Sequence, residues 1–197
     1  MPTIEIIYFS GNGHTEKLAQ AVAEGSNGRL WALSEDGELP DGAWDALDAA
    51  DAIVFGSPTY MGGPAWQFKR FADASSKRWF ARAWQDKFCG GFTVSSSTTG
   101  NKESVIDYFA TLAAQHGMLW VSLGQAVAHE TANTPEDRNW TGSSKGAMAI
   151  APAESAPEDY PAGGDLISAR DYGARVAQLA SAAAYLASEA ADRMAAE

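Results

Sequence analysis

The part of the chain best equipped to bind an anion is a loop of small and polar residues. In order, it contains Ser10, Gly11, Asn12, Gly13, His14 and Thr15. The glycines allow a tight turn, and the amides of a following helix point into the bend. The polar side chains add donors, and the helix dipole favours negative charge there. We therefore expect this first loop (residues 10–15) to hold a phosphate group, although an ordinary capped helix after a turn would fit the hexapeptide alone.

A second loop (residues 56–63) has glycines at both ends and a proline inside, which predicts a defined shape rather than a flexible link. Its side chains or backbone groups could contact a flat, pyrimidine-like ring. The candidate residues are Pro58, Thr59, Tyr60, Met61 and Gly62. A plain turn is the alternative interpretation for this loop.

A third loop (residues 95–100) gathers hydroxyl groups where a strand is expected to end. It contains Ser95, Ser96, Ser97, Thr98, Thr99 and Gly100. Such residues are poor core material and good ligand donors, although a Ser/Thr-rich surface loop would look the same. Asn101 follows as the expected N-cap of a helix.

The elements that must position these loops alternate between strand and helix. The apolar pattern predicts strands over residues 3–9, 30–33, 52–56, 88–94 and 118–123. Helices are predicted over 14–24, over 43–49, from near Pro64, over the stripe formed by Val105, Phe109, Leu112 and His116, and over 165–190. The Gly90-Gly91 pair allows close packing in the fourth strand.

This alternation predicts an α/β fold, namely a doubly wound five-stranded parallel sheet of order 2-1-3-4-5 with helices on both faces. Ligands of such sheets lie at the switch point between strands one and three, where the three loops meet. We predict a single domain over residues 1–197. Residues 124–164 are expected to form a long irregular insertion before the last helix, of a length that is typical of a site or an interface.

The chain resembles the WrbA-like NAD(P)H:quinone oxidoreductases of the flavodoxin-like superfamily over nearly its whole length. The matching segments are YFSGNGHTEKLAQAVAEG, DAIVFGSPTYMGG, KRWFARAWQDK and LAAQHGMLWVSLG. The resemblance implies that FMN is bound, with its phosphate on residues 10–15. It also implies that Thr59, Tyr60 and Met61 border the isoalloxazine ring and that residues 95–100 contact its other side.

Two further residues match family positions near the substrate. Trp79 matches a tryptophan that lines the substrate cleft, although packing in the core or between subunits would also explain it. His116 matches a histidine near the flavin and is the candidate catalytic residue; its alternative is a structural role at the helix end. Asn12 stands where the family often has a tyrosine implicated in contact with the nicotinamide nucleotide, so contacts to NAD(P)H are not carried over.

The resemblance implies an enzyme that moves two electrons from NAD(P)H through FMN to a quinone or a similar flat acceptor. A flavodoxin-type electron carrier that acts with a redox partner protein is the main alternative. Such carriers typically sandwich the ring between two aromatic side chains, and the third loop has none. A reductase of free flavin, nitro or azo compounds and a regulatory module that has lost efficient cofactor binding also remain open.

The formal net charge of −11 argues against a general nucleic-acid-binding role. Residues 64–88 are locally basic, which indicates either a solvated helix face with an oligomer contact or attraction of an anionic substrate. The basic residues are Lys69, Arg70, Lys77, Arg78, Arg82 and Lys87.

The remaining sequence features bear on cellular context. The single Cys89 allows no internal disulfide, and no cluster has metal-ligand spacing. No apolar run is long enough to span a membrane, and the first residues lack the features of a signal peptide. We expect a cytoplasmic homo-oligomer, either a tetramer as in the family or a dimer.

Overall fold

The computed structural model describes residues 1–195, in which strands and helices alternate as predicted. The strands are β1 (Ile4–Tyr8), β2 (Arg29–Ala32), β3 (Ala52–Tyr60), β4 (Gly63–Pro64), β5 (Phe88–Ser95), β6 (Leu119–Trp120) and β7 (Ala147–Ile150). The helices are α1 (His14–Ser26), α2 (Ala43–Ala49), α3 (Trp66–Ala74), α4 (Ser76–Ala81), α5 (Lys102–Gln115) and α6 (Gly163–Ala195). Among the described residues, no helix is both long enough and apolar enough to cross a membrane.

The main strands form a parallel sheet in the order β2-β1-β3-β5-β6, which confirms the predicted doubly wound arrangement. The fourth and fifth strands of the prediction correspond to β5 and β6. Strand β4 adds a short antiparallel pair to the end of β3. The carboxyl ends of β1, β3 and β5 therefore share one edge of the sheet, which we call the carboxyl edge.

Two separate strands occupy the position beside β5. Strand β6 pairs with Phe88 and Cys89, and β7 pairs further along, from Phe92 to Ser95. The prediction that residues 124–164 are irregular throughout is therefore corrected, because β7 lies within them. The sequence pattern missed β7 because four residues are too few to show a periodicity and two of them are alanines, which have low strand propensity.

Side chains of the central strands alternate between two hydrophobic cores, one on each face of the sheet. Ile4, Ile6 and Tyr8 of β1 belong to the core that α1 and α6 cover. Ile7 and the following Phe9 belong to the core that α2, α3 and α5 cover. Because both faces are buried, the strands are nearly continuously apolar, and the prediction of helices on both faces is confirmed.

The paired glycines of β5 let helices approach the sheet closely. A Cβ atom on Gly90 would lie only 2.7 Å from the hydroxyl oxygen of Tyr172 in α6. That hydroxyl donates to the carbonyl of Val121 (2.7 Å) and accepts the amide of Gly91 (3.1 Å). Burial raises the pKa of Tyr172, so its hydroxyl stays protonated and ties α6 to the middle of the sheet.

Two predicted helix starts differ from the structure. Pro64 does not lie in a first helical turn; it pairs with Thr59 in β4, and α3 begins two residues later. Asn101 precedes α5 as predicted, but its side chain forms no capping hydrogen bond. Its backbone is left-handed (φ 56°), whereas a capping side chain normally needs an extended residue at this position.

Candidate active site

The three loops meet at the carboxyl edge and enclose a cleft of about 170 Å³. Its wall is formed by Gly11, Asn12, His14, Thr15, Pro58, Thr59, Tyr60, Val94, Ser95, Ser96, Ala151 and Ala153. The other predicted residues lie in the same loops but outside this wall; they are Ser10, Gly13, Met61, Gly62, Ser97, Thr98, Thr99 and Gly100. The segment that follows β7 completes the cleft, and sequence analysis did not foresee that contribution.

The first loop presents a row of backbone donors at the start of α1. In the described part of the chain, the amides of residues 11–15 donate to no protein acceptor. Gly13 turns the chain into the helix with a left-handed backbone (φ 86°), and the Ser10 hydroxyl accepts the amide of Glu16 at 3.1 Å. These unsatisfied donors and the helix dipole together form a site for an anion.

The segment after β7 covers the outer side of the first loop. The buried ring of His14 places Nε2 3.0 Å from the carbonyl oxygen of Ser155. Lys17 donates to the carbonyl of Glu158 at 2.7 Å, and a Cβ atom on Gly13 would lie 2.6 Å from Pro157. His14 therefore anchors this covering segment (residues 151–161), in addition to lining the cleft.

A network of hydroxyl groups fixes the second loop. Thr93 donates to the carbonyl of Ser57 (2.7 Å), so the bond of 2.9 Å between Thr93 and Thr59 must be donated by Thr59. Ser57 in turn donates to the carbonyl of Pro58 and accepts the amide of Ala65. The hydrogen bonds of Ser57 and Thr93 thus fix the part of the cleft wall that Thr59 forms.

Tyr60 forms the side of the cleft where the first two loops come together. A Cβ atom on Gly11 would lie 2.7 Å from the hydroxyl oxygen of Tyr60, so the approach requires a glycine. The ring is 45% exposed, and burial together with the charge of Glu35 raises its pKa. Met61 is fully exposed at the tip of the loop with a positive φ, which explains why it does not line the cleft.

Two charged residues behind the third loop were missed by sequence analysis. The ammonium group of Lys102, with 2% of the residue exposed, binds Ser95, Ser97 and Thr98. Asp165 accepts the amide of Ile150 at 2.9 Å, and burial raises its pKa to about 6. The sequence contained one indication of the role of Lys102. A lysine in the first turn of a helix opposes the helix dipole, so its presence there indicates that another interaction stabilises it.

The structure places neither His116 nor Trp79 in the wall of this chain's cleft, so their roles near the flavin and the substrate stay predictions. Helices α3 and α5 run opposite to the strands, so their last residues lie at the far edge of the sheet. His116 contacts Ser75 and Trp84 there, and Trp79 packs on Phe80. The length of β5 places this edge roughly 23 Å from the cleft. Sequence spacing could not show this, because the helical stripe of α5 identifies a buried face and not an end of the sheet.

Three of the six basic residues between 64 and 88 form salt bridges with acidic neighbours. Lys69 pairs with Asp73, and Arg78 pairs with Asp48 at 3.2 Å. Arg70 likewise pairs with an acidic side chain, that of Glu38. None of these basic residues lines the cleft, so their positions favour the solvated helix face over attraction of an anionic substrate.

Comparisons with known proteins agree with this geometry. A family profile described as "NADPH-dependent FMN reductase" matches residues 6–133. The chain is 48% identical over 174 residues to "Flavodoxin FldP" of Pseudomonas aeruginosa, covering 88% of this chain and 94% of that protein. It is 34% identical over 199 aligned positions to an "NAD(P)H dehydrogenase (quinone)" of Geobacter sulfurreducens, covering 89% and 96%. A solved flavodoxin, WrbA-like protein from Agrobacterium tumefaciens superimposes with a TM-score of 0.76 at 48% identity, covering 91% and 98%.

Proposed function

Because the chain belongs to the NADPH-dependent FMN reductase family and is WrbA-like, we propose that it is an FMN-dependent oxidoreductase. In this proposal it transfers two electrons from NAD(P)H to a quinone-type acceptor. The observation that carries the proposal is the row of unsatisfied amides in residues 11–15. It lies at a helix N-terminus on the edge of the sheet where doubly wound folds bind their ligands.

The residues of the cleft fit the parts of FMN. Neutral amides, hydroxyls and the helix dipole can together hold a phosphate dianion, so the site needs no lysine or arginine. The net charge of −11 is therefore compatible with phosphate binding. The cleft of about 170 Å³ is smaller than typical ligand pockets, which start at about 300 Å³. It would therefore hold the phosphate and the ribityl chain and leave the ring at the open rim beside Tyr60.

The protein's own contribution is to bind and orient FMN and to leave room for the substrates beside it. Bound FMN would supply the hydride chemistry, so no side chain need act as an obligatory acid or base. Tyr60 can cover one face of the ring or donate from its protonated hydroxyl, since its pKa is raised. The third loop offers no aromatic side chain for the opposite face, which leaves space for a nicotinamide and then for a flat acceptor.

An electron carrier is the second candidate, and the name of one relative favours it. The relative from Pseudomonas aeruginosa that is 48% identical is named a flavodoxin. The relative from Geobacter sulfurreducens is named for the quinone reaction, at 34% identity. The absence of an aromatic residue from the third loop supports the reductase, because a ring that is open on one face can meet a substrate directly.

We also propose that the chain forms a homo-oligomer. Phe80 is 78% exposed and stacks edge-on against Trp79 at the far edge of the sheet. Covering this pair in a second subunit would remove apolar surface from water. Light scattering at micromolar concentration tests this point, and a monomeric mass would contradict it.

An anaerobic titration tests the proposed reaction. The FMN-loaded protein is titrated with NADH and, separately, with NADPH, while the visible absorbance of the flavin is followed. We expect at least one nucleotide to remove the absorbance and a benzoquinone to restore it rapidly. Protein without FMN serves as the control and should oxidise neither nucleotide. If neither nucleotide bleaches the flavin, the electron carrier is favoured.

A further inference from the structure

Lys102 is a buried cation whose donors are all directed at the third loop. Its ammonium group lies 3.0 Å from the hydroxyl of Ser95 and 2.8 Å from each of the carbonyl oxygens of Ser97 and Thr98. Lysine is almost never fully buried unless it is paired. In the part of the chain that the structure describes, no carboxylate forms a salt bridge with it. Its binding partner is therefore the loop itself.

This binding sets the direction of the loop's backbone groups. In a trans peptide the carbonyl and the following amide point in opposite directions. Because the carbonyls of Ser97 and Thr98 turn inward to the ammonium group, the amides of Thr98 and Thr99 turn outward. Within the described residues, the amides of residues 96–99 donate to no protein acceptor. Lys102 thus holds a set of free donors in place next to the cleft wall formed by Ser95.

Besides Lys102, the Ser95 side chain holds the third loop, because its hydroxyl donates to the carbonyl of Ser97 at 3.0 Å. Asn101 gives no side-chain cap to α5, and both Gly100 and Asn101 have left-handed backbones. The first and second loops are held differently, by the hydroxyls of Ser10 and Ser57, each of which accepts a backbone amide. A hydrogen bond to a charged group is stronger than one between neutral groups, so the lysine is an effective substitute for the missing cap.

We propose that Lys102 is a positioning residue for the flavin ring, which it serves by holding the backbone of residues 95–98 in the conformation that receives the ring. The inference rests on the proposed function, because it assumes that a flavin occupies the cleft. In this proposal the first and third loops bind different parts of FMN. The first loop binds the phosphate, and the third loop, tethered by Lys102, binds the ring.

The test uses Lys102→Met and two flavins. Dissociation constants are measured by flavin fluorescence for FMN and for riboflavin, which has the ring but no phosphate. Loss of the charged tether should weaken binding of both flavins by the same factor, about tenfold or more. The Ser10→Ala plus Thr15→Ala variant should instead weaken FMN selectively. The visible circular dichroism of bound FMN should change only in Lys102→Met, because it reports the surroundings of the ring.

Lys145→Met is the matched control. Lys145 is half exposed and binds Glu103 and Asp107 on the outer face of α5, so the substitution removes the same charge close to the same helix. It should leave both dissociation constants unchanged.

The possible outcomes are distinguishable. If the wild-type protein binds neither flavin, the proposed function is wrong. If it binds FMN and Lys102→Met binds both flavins equally well, with the same circular dichroism, the role of Lys102 is wrong while the proposed function stands. Should Lys102→Met fail to fold, Lys102→Gln replaces it, and a wild-type-like increase in unfolding temperature on addition of FMN would overturn the inference.

Discussion

The Nε2 atom of His116 lies 2.9 Å from the hydroxyl oxygen of Ser75, at the edge of the sheet opposite the cleft. Ser75 gives its own proton to the carbonyl of Ala72, so Nε2 must donate, and in a neutral ring Nδ1 then carries no proton. Burial lowers the pKa of His116, which agrees with a neutral ring. The ring centroids of His116 and Trp84 lie 4.4 Å apart, and this contact joins the end of α5 to the segment that follows α4.

We expect His116→Ala to destabilise the protein without affecting the flavin site. The variant loses a buried hydrogen bond and the packing against Trp84, which should lower the free energy of unfolding by about 2–4 kcal/mol. Urea unfolding measures this loss, and a fluorescence titration should give an unchanged dissociation constant for FMN. The exposed His129→Ala is the control and should change neither quantity. A tenfold weaker affinity in His116→Ala would instead support its predicted role near the flavin.

Ser10→Ala plus Thr15→Ala should weaken FMN binding by about 10- to 100-fold, because two hydroxyls beside the proposed phosphate position are lost. Part of the effect is indirect, since Ser10 also accepts the amide of Glu16 and so holds the start of α1. Calorimetric titration measures the affinity. The exposed pair Thr111→Ala plus Ser181→Ala removes the same groups elsewhere and should bind FMN normally. Equal affinity in both double variants would contradict the assigned phosphate site.

Gly11→Ala should displace Tyr60 and weaken FMN binding about tenfold. The new Cβ atom would lie 2.7 Å from the hydroxyl oxygen of Tyr60, which is closer than nonbonded atoms of these types pack. Removing that oxygen by Tyr60→Phe in the same chain should recover part of the affinity. A double-mutant cycle on the FMN dissociation constants measures this coupling. Strictly additive effects would show that the two residues do not act through this contact.

Tyr172→Phe should lower the free energy of unfolding by about 2–3 kcal/mol. The hydroxyl bonds to both Gly91 and Val121, and its removal leaves a buried donor and a buried acceptor unsatisfied. Urea unfolding measures the difference. Tyr185→Phe removes an exposed hydroxyl from the same helix and should be nearly neutral. Similar values for both variants would mean that the buried bonds contribute little.

Asp165 should give the stability a pH dependence. Burial raises its pKa from 3.8 to about 6, and Glu136 adds to the rise, while the amide of Ile150 and the charge of Lys102 oppose it. The folded state binds this proton more tightly, so the stabilisation is complete below pH 3.8 and is lost as the pH rises through about 6.

Relative to Asp165→Asn, the wild-type protein should therefore lose up to about 3 kcal/mol of unfolding free energy between pH 4 and 7. Urea unfolding at a series of pH values measures the difference. The exposed Asp159→Asn controls for removal of one carboxylate. A difference that does not vary with pH would refute the assignment.

The sequence by itself determined the layers of this protein and the order of its main strands. Runs such as residues 52–55 are apolar throughout because both faces of their strands are buried, and α5 shows its stripe because only one face is buried. Once strands and helices alternate, right-handed crossovers leave few possible arrangements. The three loops then had to meet at one edge, and the structure brings them together there.

Only the tertiary structure decided which residues share that edge and what holds them. His116 and Trp79 match family positions, yet α5 ends at the far edge of the sheet, and α4, which contains Trp79, follows the end of α3 there. The three acceptors of Lys102 can be recognised only in the folded chain. Sequence periodicity reports whether a side chain is buried, because burial follows the local repeat of a helix or strand. Which end of the sheet a residue reaches, and which buried polar partner it finds there, depends on contacts between segments far apart in the chain.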